Sequence, residues 1–147
     1  MAGPGLADFG GWFVKYVFAL LAVLGIVLAS FALREHYREG DSPCRINDRW
    51  DCGEVNHSPY ASLAGIPVAV IGIAGYLGLG ILALLRQWRV LLAAAVVGLG
   101  FSLYLTHIEK DVIRAWCIYC VGSLGVISLM TLLAIAVNVF GGRQRAA

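Results

Sequence analysis

The chain has 147 residues, 60% of them hydrophobic and 14% charged, and its mean hydropathy is +0.80. Soluble domains carry about 25% charged and about 45–50% apolar residues, so this composition argues against a water-soluble globule and for a bilayer protein. The net charge of +2 is spread along the chain and forms no basic stripe of the kind a nucleic-acid binder needs.

The length suits a single domain, residues 1–147, with no internal repeat or low-complexity tract. Near the N-terminus Lys15 precedes an apolar run, as in a signal peptide. The run over residues 17–33 is too long for a typical signal core, and Arg34-Glu35-His36 closes it where small residues would be needed for cleavage. It therefore reads as a retained spanning helix. Four segments are apolar enough to span a bilayer: residues 13–33, 63–85, 90–106 and 116–140. Lipid leaves backbone polar groups only intrahelical bonds or a closed barrel, and strand-period alternation is absent. The expected fold is an all-α bundle of four transmembrane helices with a long outer loop, residues 34–62, between the first two.

Basic residues set the expected orientation. Lys15 precedes the first span, Arg86 and Arg89 lie between the second and third, and Arg143 and Arg145 follow the fourth. With four spans these fall on one side, which places both termini in the cytoplasm. Of the acidic residues only Asp8 joins them there. In the opposite loops the basic residues, Arg34, Arg38, Arg45, Arg49, Lys110 and Arg114, are offset by Glu35, Glu39, Asp41, Asp48, Asp51, Glu54, Glu109 and Asp111. The spans are rich in glycine, including Gly72, Gly80, Gly98 and Gly122, which suits close helix packing.

Cys44, Cys52, Cys117 and Cys120 all map to the non-cytoplasmic side, Cys44 and Cys52 in the long loop and Cys117-Ile-Tyr-Cys120 at the mouth of the fourth span. Disulfides persist in oxidising compartments, so this segregation is informative. Three readings compete. Two structural bridges would suit an even cysteine count outside the cell. A zinc site would suit a CxxC pair, but the Cys44–Cys52 spacing is wider than zinc pairs use, and the metal would sit at the head of an apolar helix. Redox chemistry has the firmest physical basis. At a helix start, free N–H groups and the helix dipole favour the thiolate, which is the attacking species in disulfide exchange. A structural bridge gains little there, because a four-residue loop removes little chain entropy. Two pairs allow a relay, one meeting an external partner and the other a lipid-soluble two-electron acceptor such as a quinone.

These residues resemble the vitamin K epoxide reductase (VKOR) family, in its bacterial form. The resemblance rests on Cys44 and Cys52 in the first outer loop, then Asn56-His-Ser58-Pro-Tyr60, then Gly65-Ile-Pro67 opening the second span and Cys117-Ile-Tyr-Cys120 opening the last. It implies an oxidoreductase of a cell inner membrane, with its cysteines on the periplasmic side, passing electrons from thiols to a quinone of the ubiquinone, menaquinone or vitamin K type. It implies that Cys44 exchanges with a thioredoxin-like, DsbA-type partner, that Cys52 hands over to Cys117, and that Cys120 faces the quinone. It also implies a quinone-binding role for Ser58, whose alternative is a turn residue before Pro59, and Tyr60 is a further candidate beside it. Vertebrate members carry an asparagine and a tyrosine where Ala61 and Leu124 stand here, so the resemblance does not carry over epoxide reduction or anticoagulant sensitivity. Many bacterial homologues carry a fused thioredoxin-like domain, and a chain ending at Ala147 implies a separate partner protein.

The other polar and aromatic residues have plainer readings. His57 is more simply a solvated loop residue than a proton carrier, and His107 an interfacial one. Trp50, Trp116 and Tyr119 suit an interfacial aromatic belt. Besides the relay, two other functions fit: turnover of vitamin K quinone or epoxide, and a non-enzymatic membrane scaffold stapled by two disulfides. The DsbB type of quinone-linked enzyme fits poorly, because there the CxxC precedes the wide pair.

Overall fold

The computed structural model describes residues 6–40, 45–47 and 49–146; Asp41, Cys44 and Asp48 lie outside them. Four apolar helices build the molecule: α1 (Leu6–Tyr37), α3 (Val68–Leu84), α4 (Trp88–Ile108) and α5 (Ile118–Ala146). A fifth, short helix, α2 (Cys52–Asn56), lies in the loop between α1 and α3. The helices α1, α4 and α5 are long and apolar enough to cross a membrane, while α3, at 17 residues, is shorter.

The second expected span is therefore trimmed at its start. Residues 63–67 are apolar but not helical. Strand β1 (Ser62–Leu63) pairs antiparallel with β2 (Ile66–Pro67) across the two-residue turn Ala64-Gly65. Both turn residues have positive φ, +54° and +82°, as a tight hairpin turn requires. Pro67 then forces its predecessor into extended backbone and sits at the N-cap of α3, where its missing N–H costs nothing. A single 3₁₀ turn, Pro59–Ala61, precedes the hairpin.

At its other end α3 closes in a Schellman pattern. The Gln87 N–H reaches the Leu82 carbonyl at 2.9 Å and the Arg86 N–H reaches Ala83 at 3.0 Å, with Arg86 in the left-handed region. The Arg86–Gln87 turn brings α4 back antiparallel. Asn138 of α5 donates to the Trp88 carbonyl at 3.0 Å and ties α5 to the start of α4.

Phe18, Leu91 and Met130 are fully buried where α1, α4 and α5 meet, and Ala22, Tyr76, Leu79, Ala83, Ala95, Ile127 and Ala134 complete the core. Large apolar side chains such as Leu20, Leu77, Leu84 and Leu132 face outward, which suits contact with lipid rather than water. Small residues do let the backbones approach. A Cβ on Gly80 would stand 3.2 Å from Ala22, and one on Gly122 would stand 3.3 Å from Leu28. Not every span glycine serves this purpose, since Gly75, Gly78, Gly100 and Gly125 meet nothing within 4 Å.

Candidate active site

The site is assembled where the loop meets the head of α5. Strand-like bonds dock one onto the other: the Asp51 N–H reaches the Trp116 carbonyl at 3.0 Å, and the Trp116 N–H reaches Arg49 at 2.7 Å. The rings of Trp50 and Trp116 lie 6.2 Å apart over this bridge, so the two tryptophans pair with each other. Asp51 then caps α2 by accepting the Glu54 N–H at 3.2 Å, which starts the helix at Cys52. His36, at the end of α1, holds the other end of α2 through the Asn56 carbonyl at 2.7 Å. Held at both ends, α2 buries Cys52 in one small cluster with Val55, Ala115 and Cys117.

Cys52 is engaged in a disulfide, and Cys117 and Cys120 are free thiols. Cys44 lies outside the described residues. Cys117 occupies the N-cap of α5, since its carbonyl accepts the Val121 N–H at 2.9 Å. Cys120 falls at the third helical position, so the CxxC spacing lets the Cys117 sulfur take the capping role of a serine oxygen. The Cys120 thiol donates to that sulfur, as do the Cys120 backbone N–H and, at 3.5 Å, the Asn56 amide. The Cys120 thiol is the strongest of these influences. Together the donors hold Cys117 below the ordinary thiol range, against the opposing effects of burial and of the Glu109 charge.

Two polar side chains complete this pair. Asn56, 6% exposed, donates to the Cys52 carbonyl at 2.8 Å as well as to Cys117. Glu109, 4% exposed, opens a π turn (Glu109–Ile113) that follows α4, and it accepts the Cys117 N–H at 3.4 Å. It also adjoins the Cys120 thiol, whose single proton can point to the Cys117 sulfur or to this carboxylate.

Beyond Cys120 a cavity of about 470 Å³ opens between the helices. Its walls are mostly apolar, among them Leu28, Leu79, Val97 and Phe101, with Cys120, Glu109, Asn56 and Tyr76 as polar points. The Tyr76 hydroxyl donates to the Ser123 carbonyl at 2.8 Å and shares a 2.7 Å bond with the Ser123 hydroxyl. The volume and the balance of apolar wall to few polar groups suit a small, flat, lipid-soluble molecule.

The family model for the vitamin K epoxide reductase family matches residues 16–135, a stretch that contains all four cysteines and the residues lining the cavity. The chain belongs to the vitamin K epoxide reductase family. Members are oxidoreductases with quinone-linked redox chemistry.

Set against the expectations for a VKOR protein, the fold brings Cys52, Cys117 and Cys120 together and puts Ser58 and Tyr60 on the cavity wall. Ser58 also makes the turn bond foreseen as its alternative. Its hydroxyl donates to the Val55 carbonyl at 2.8 Å, so it faces the cavity with lone pairs and must release Val55 before it can donate elsewhere. His57 is exposed, and His107 pairs at 2.9 Å with Asp111 on the surface. Asn56 and Glu109 were not singled out from the sequence. The available signals were weak: Asn56 lies within the loop motif, and Glu109 is a carboxylate at the apolar end of a span, eight residues before Cys117.

Proposed function

We propose that the protein is a quinone-dependent thiol–disulfide oxidoreductase that reoxidises a periplasmic thioredoxin-fold partner and so supports disulfide-bond formation. One observation carries the reading: Cys117 packs against Cys52 on one side, while its CxxC partner Cys120 lines an apolar cavity on the other. Electrons entering at the loop pair therefore have a contiguous route to a lipid-soluble acceptor.

In the cycle, a reduced partner protein attacks the Cys44–Cys52 bridge at Cys44. The freed Cys52 thiolate attacks a Cys117–Cys120 bridge at Cys117, and Cys120 is released as a thiol. The partner's second cysteine then attacks its own disulfide with Cys44 and the partner leaves oxidised, and the freed Cys44 thiolate displaces Cys117 from Cys52, which re-forms the loop bridge. The dithiol then loses two electrons and two protons to the quinone and closes again to a disulfide. The chain's residues fit such a co-substrate: flat apolar walls for a ring and its tail, and hydroxyl, amide and carboxyl groups at the end nearest Cys120. Ser58 and Tyr60 stand on that wall as quinone contacts. A CxxC whose second cysteine lines an apolar cavity favours this relay over a stapled scaffold.

The orientation follows from the charge distribution. The start of α1 and the α3–α4 turn share one end of the bundle, since a Cβ on Gly11 would stand 3.6 Å from the Arg86 guanidinium. That end carries Arg86 and Arg89 in a short turn, and the cysteine site lies at the other, where Arg34, Arg38, Arg45, Arg49, Lys110 and Arg114 are interspersed with acidic residues. Short loops weigh most in the positive-inside rule, so the short basic turn is placed inside and the cysteines face the periplasm.

The test is quinone reduction by the purified chain in phospholipid vesicles, with a reduced thioredoxin-fold protein as donor. Cys120→Ala should abolish turnover, and a donor that lacks its second cysteine should accumulate a mixed disulfide with Cys44 in the otherwise unaltered chain. Normal quinone reduction by Cys120→Ala would rule out the proposed order.

A further inference from the structure

The mechanism above moves two protons as well as two electrons, and the cysteines alone do not account for the protons. Glu109 occupies the position from which one of them can be handled. Its carboxyl is almost wholly buried, accepts the Cys117 N–H, adjoins the Cys120 thiol as the alternative acceptor for its proton, and lines the same cavity as Cys120. No lysine, arginine or histidine forms an ion pair with it among the described residues. The groups around it are few. On α5 they are Cys117 and Cys120; on α2, Cys52 is bridged and Glu54 is exposed. On its own turn Lys110 and Asp111 are exposed, and Asp111 is paired with His107 from the end of α4. A buried carboxyl without a counter-cation is expensive to keep for structure alone, and this one touches the reacting thiol.

We infer that Glu109 is a catalytic residue, the base that takes the Cys120 thiol proton and the acid that delivers it to a quinone oxygen. The inference rests on the proposed function. As the Cys120 sulfur gives up its electrons, its S–H bond breaks and the proton moves to the Glu109 carboxylate. The Cys117–Cys120 disulfide forms, and the quinone takes the two electrons. Glu109 then passes its proton to one quinol oxygen and returns to a carboxylate. The second quinol oxygen takes its proton from water, which received the one that Cys117 lost on forming its thiolate. Two thiols and a quinone thus become one disulfide and one quinol.

The experiment uses the full chain in phospholipid vesicles, dithiothreitol as reductant and a short-tailed benzoquinone as acceptor. Glu109→Gln keeps an oxygen for the Cys117 N–H and nearly the same shape, but cannot carry the proton. Its kcat should fall by about 100-fold, the middle of the range for acid–base catalysis, with KM little changed. The wild-type rate should fall on the acid side as Glu109 becomes protonated, and Glu109→Gln should lose that acid limb. Glu109→Asp should recover part of kcat and keep the limb. A Glu109→Gln rate equal to wild type overturns the inference. So does a rate lowered by one factor at every pH with the profile unchanged, which is the mark of a purely structural residue. If the wild-type chain itself reduces no quinone, it is the proposed function that fails, and the inference falls with it.

Discussion

The Cys117 sulfur is a thiol whose surroundings have been turned toward the anion. A buried thiol in apolar surroundings resists ionisation, and Cys117 is fully buried. Three donors reverse that: the Cys120 thiol, the Cys120 N–H and the Asn56 amide. Asn56 is the one of these that also touches the outer pair, through the Cys52 carbonyl. Its donor favours the thiolate, so Asn56→Ala should make the thiolate appear at higher pH than in wild type. Asn56→Asp should move it further the same way, because a second carboxylate repels the anion. Thiolate absorbance, titrated in chains with Cys44 and Cys52 replaced by serine, reads this directly. At neutral pH disulfide exchange through Cys117 should slow by about 3–10-fold in Asn56→Ala, the low end for a hydrogen bond to a charged group given its 3.5 Å length. The two proteins should converge in alkali, where both are ionised. An unchanged titration would remove Asn56 from this role. The cysteines themselves were legible as a spacing, because CxxC at a helix start has one geometry. Asn56 and Glu109 were not, because their burial comes from the docking of residues 49–51 onto Trp116, a contact between segments far apart in the chain.

Among the elements, the long spans were readable because hydrophobicity over twenty residues leaves few alternatives in lipid. The start of α3 was not, because Leu63, Ala64 and Ile66 are as apolar as the helix that follows, and hydropathy cannot register the sign of φ. The hairpin there sits directly before the cavity wall, and its turn carries strain in one residue and not the other. Ala64 takes a left-handed conformation that costs an L-residue about 1–2 kcal/mol, while Gly65 takes its own freely. Gly65→Ala should therefore destabilise the protein by about 1 kcal/mol, with no clash to confuse the reading, since nothing lies within 4 Å. Arg114 closes the π turn at φ +61° in an exposed position, and Arg114→Gly should gain up to about 1 kcal/mol for the same reason. Thermal unfolding in detergent micelles should show opposite shifts of the midpoint. Shifts of the same sign would mean that backbone strain is not what these positions contribute.

For the molecule as a whole, the packing of α1 on α3 and the acceptor site share a wall. Gly25 of α1 lies directly beneath the Tyr76 ring of α3, and any Cβ there would overlap it. The same ring lines the cavity and is bonded through its hydroxyl to Ser123 of α5, so three helices are joined at one aromatic side chain. Gly25→Ala must push the ring toward the cavity or spread α1 from α3. Overpacking of this kind costs about 1–3 kcal/mol, which sets the expected loss of stability. If the cavity is where quinone binds, the displaced ring should also raise the quinone KM, by about 3–10-fold for a loss of up to 1.4 kcal/mol of binding. Exchange between Cys52 and Cys117 should continue at its normal rate, because the cysteine cluster is separate from this core. Adding Tyr76→Leu to Gly25→Ala removes the overlap and should recover stability without the Ser123 bond. Steady-state kinetics beside rapid-quench trapping of the thiols separates the two effects. A stability loss with an unchanged quinone KM would place the acceptor elsewhere than this cavity, whereas slowed thiol exchange would show that the two ends of the bundle are mechanically coupled.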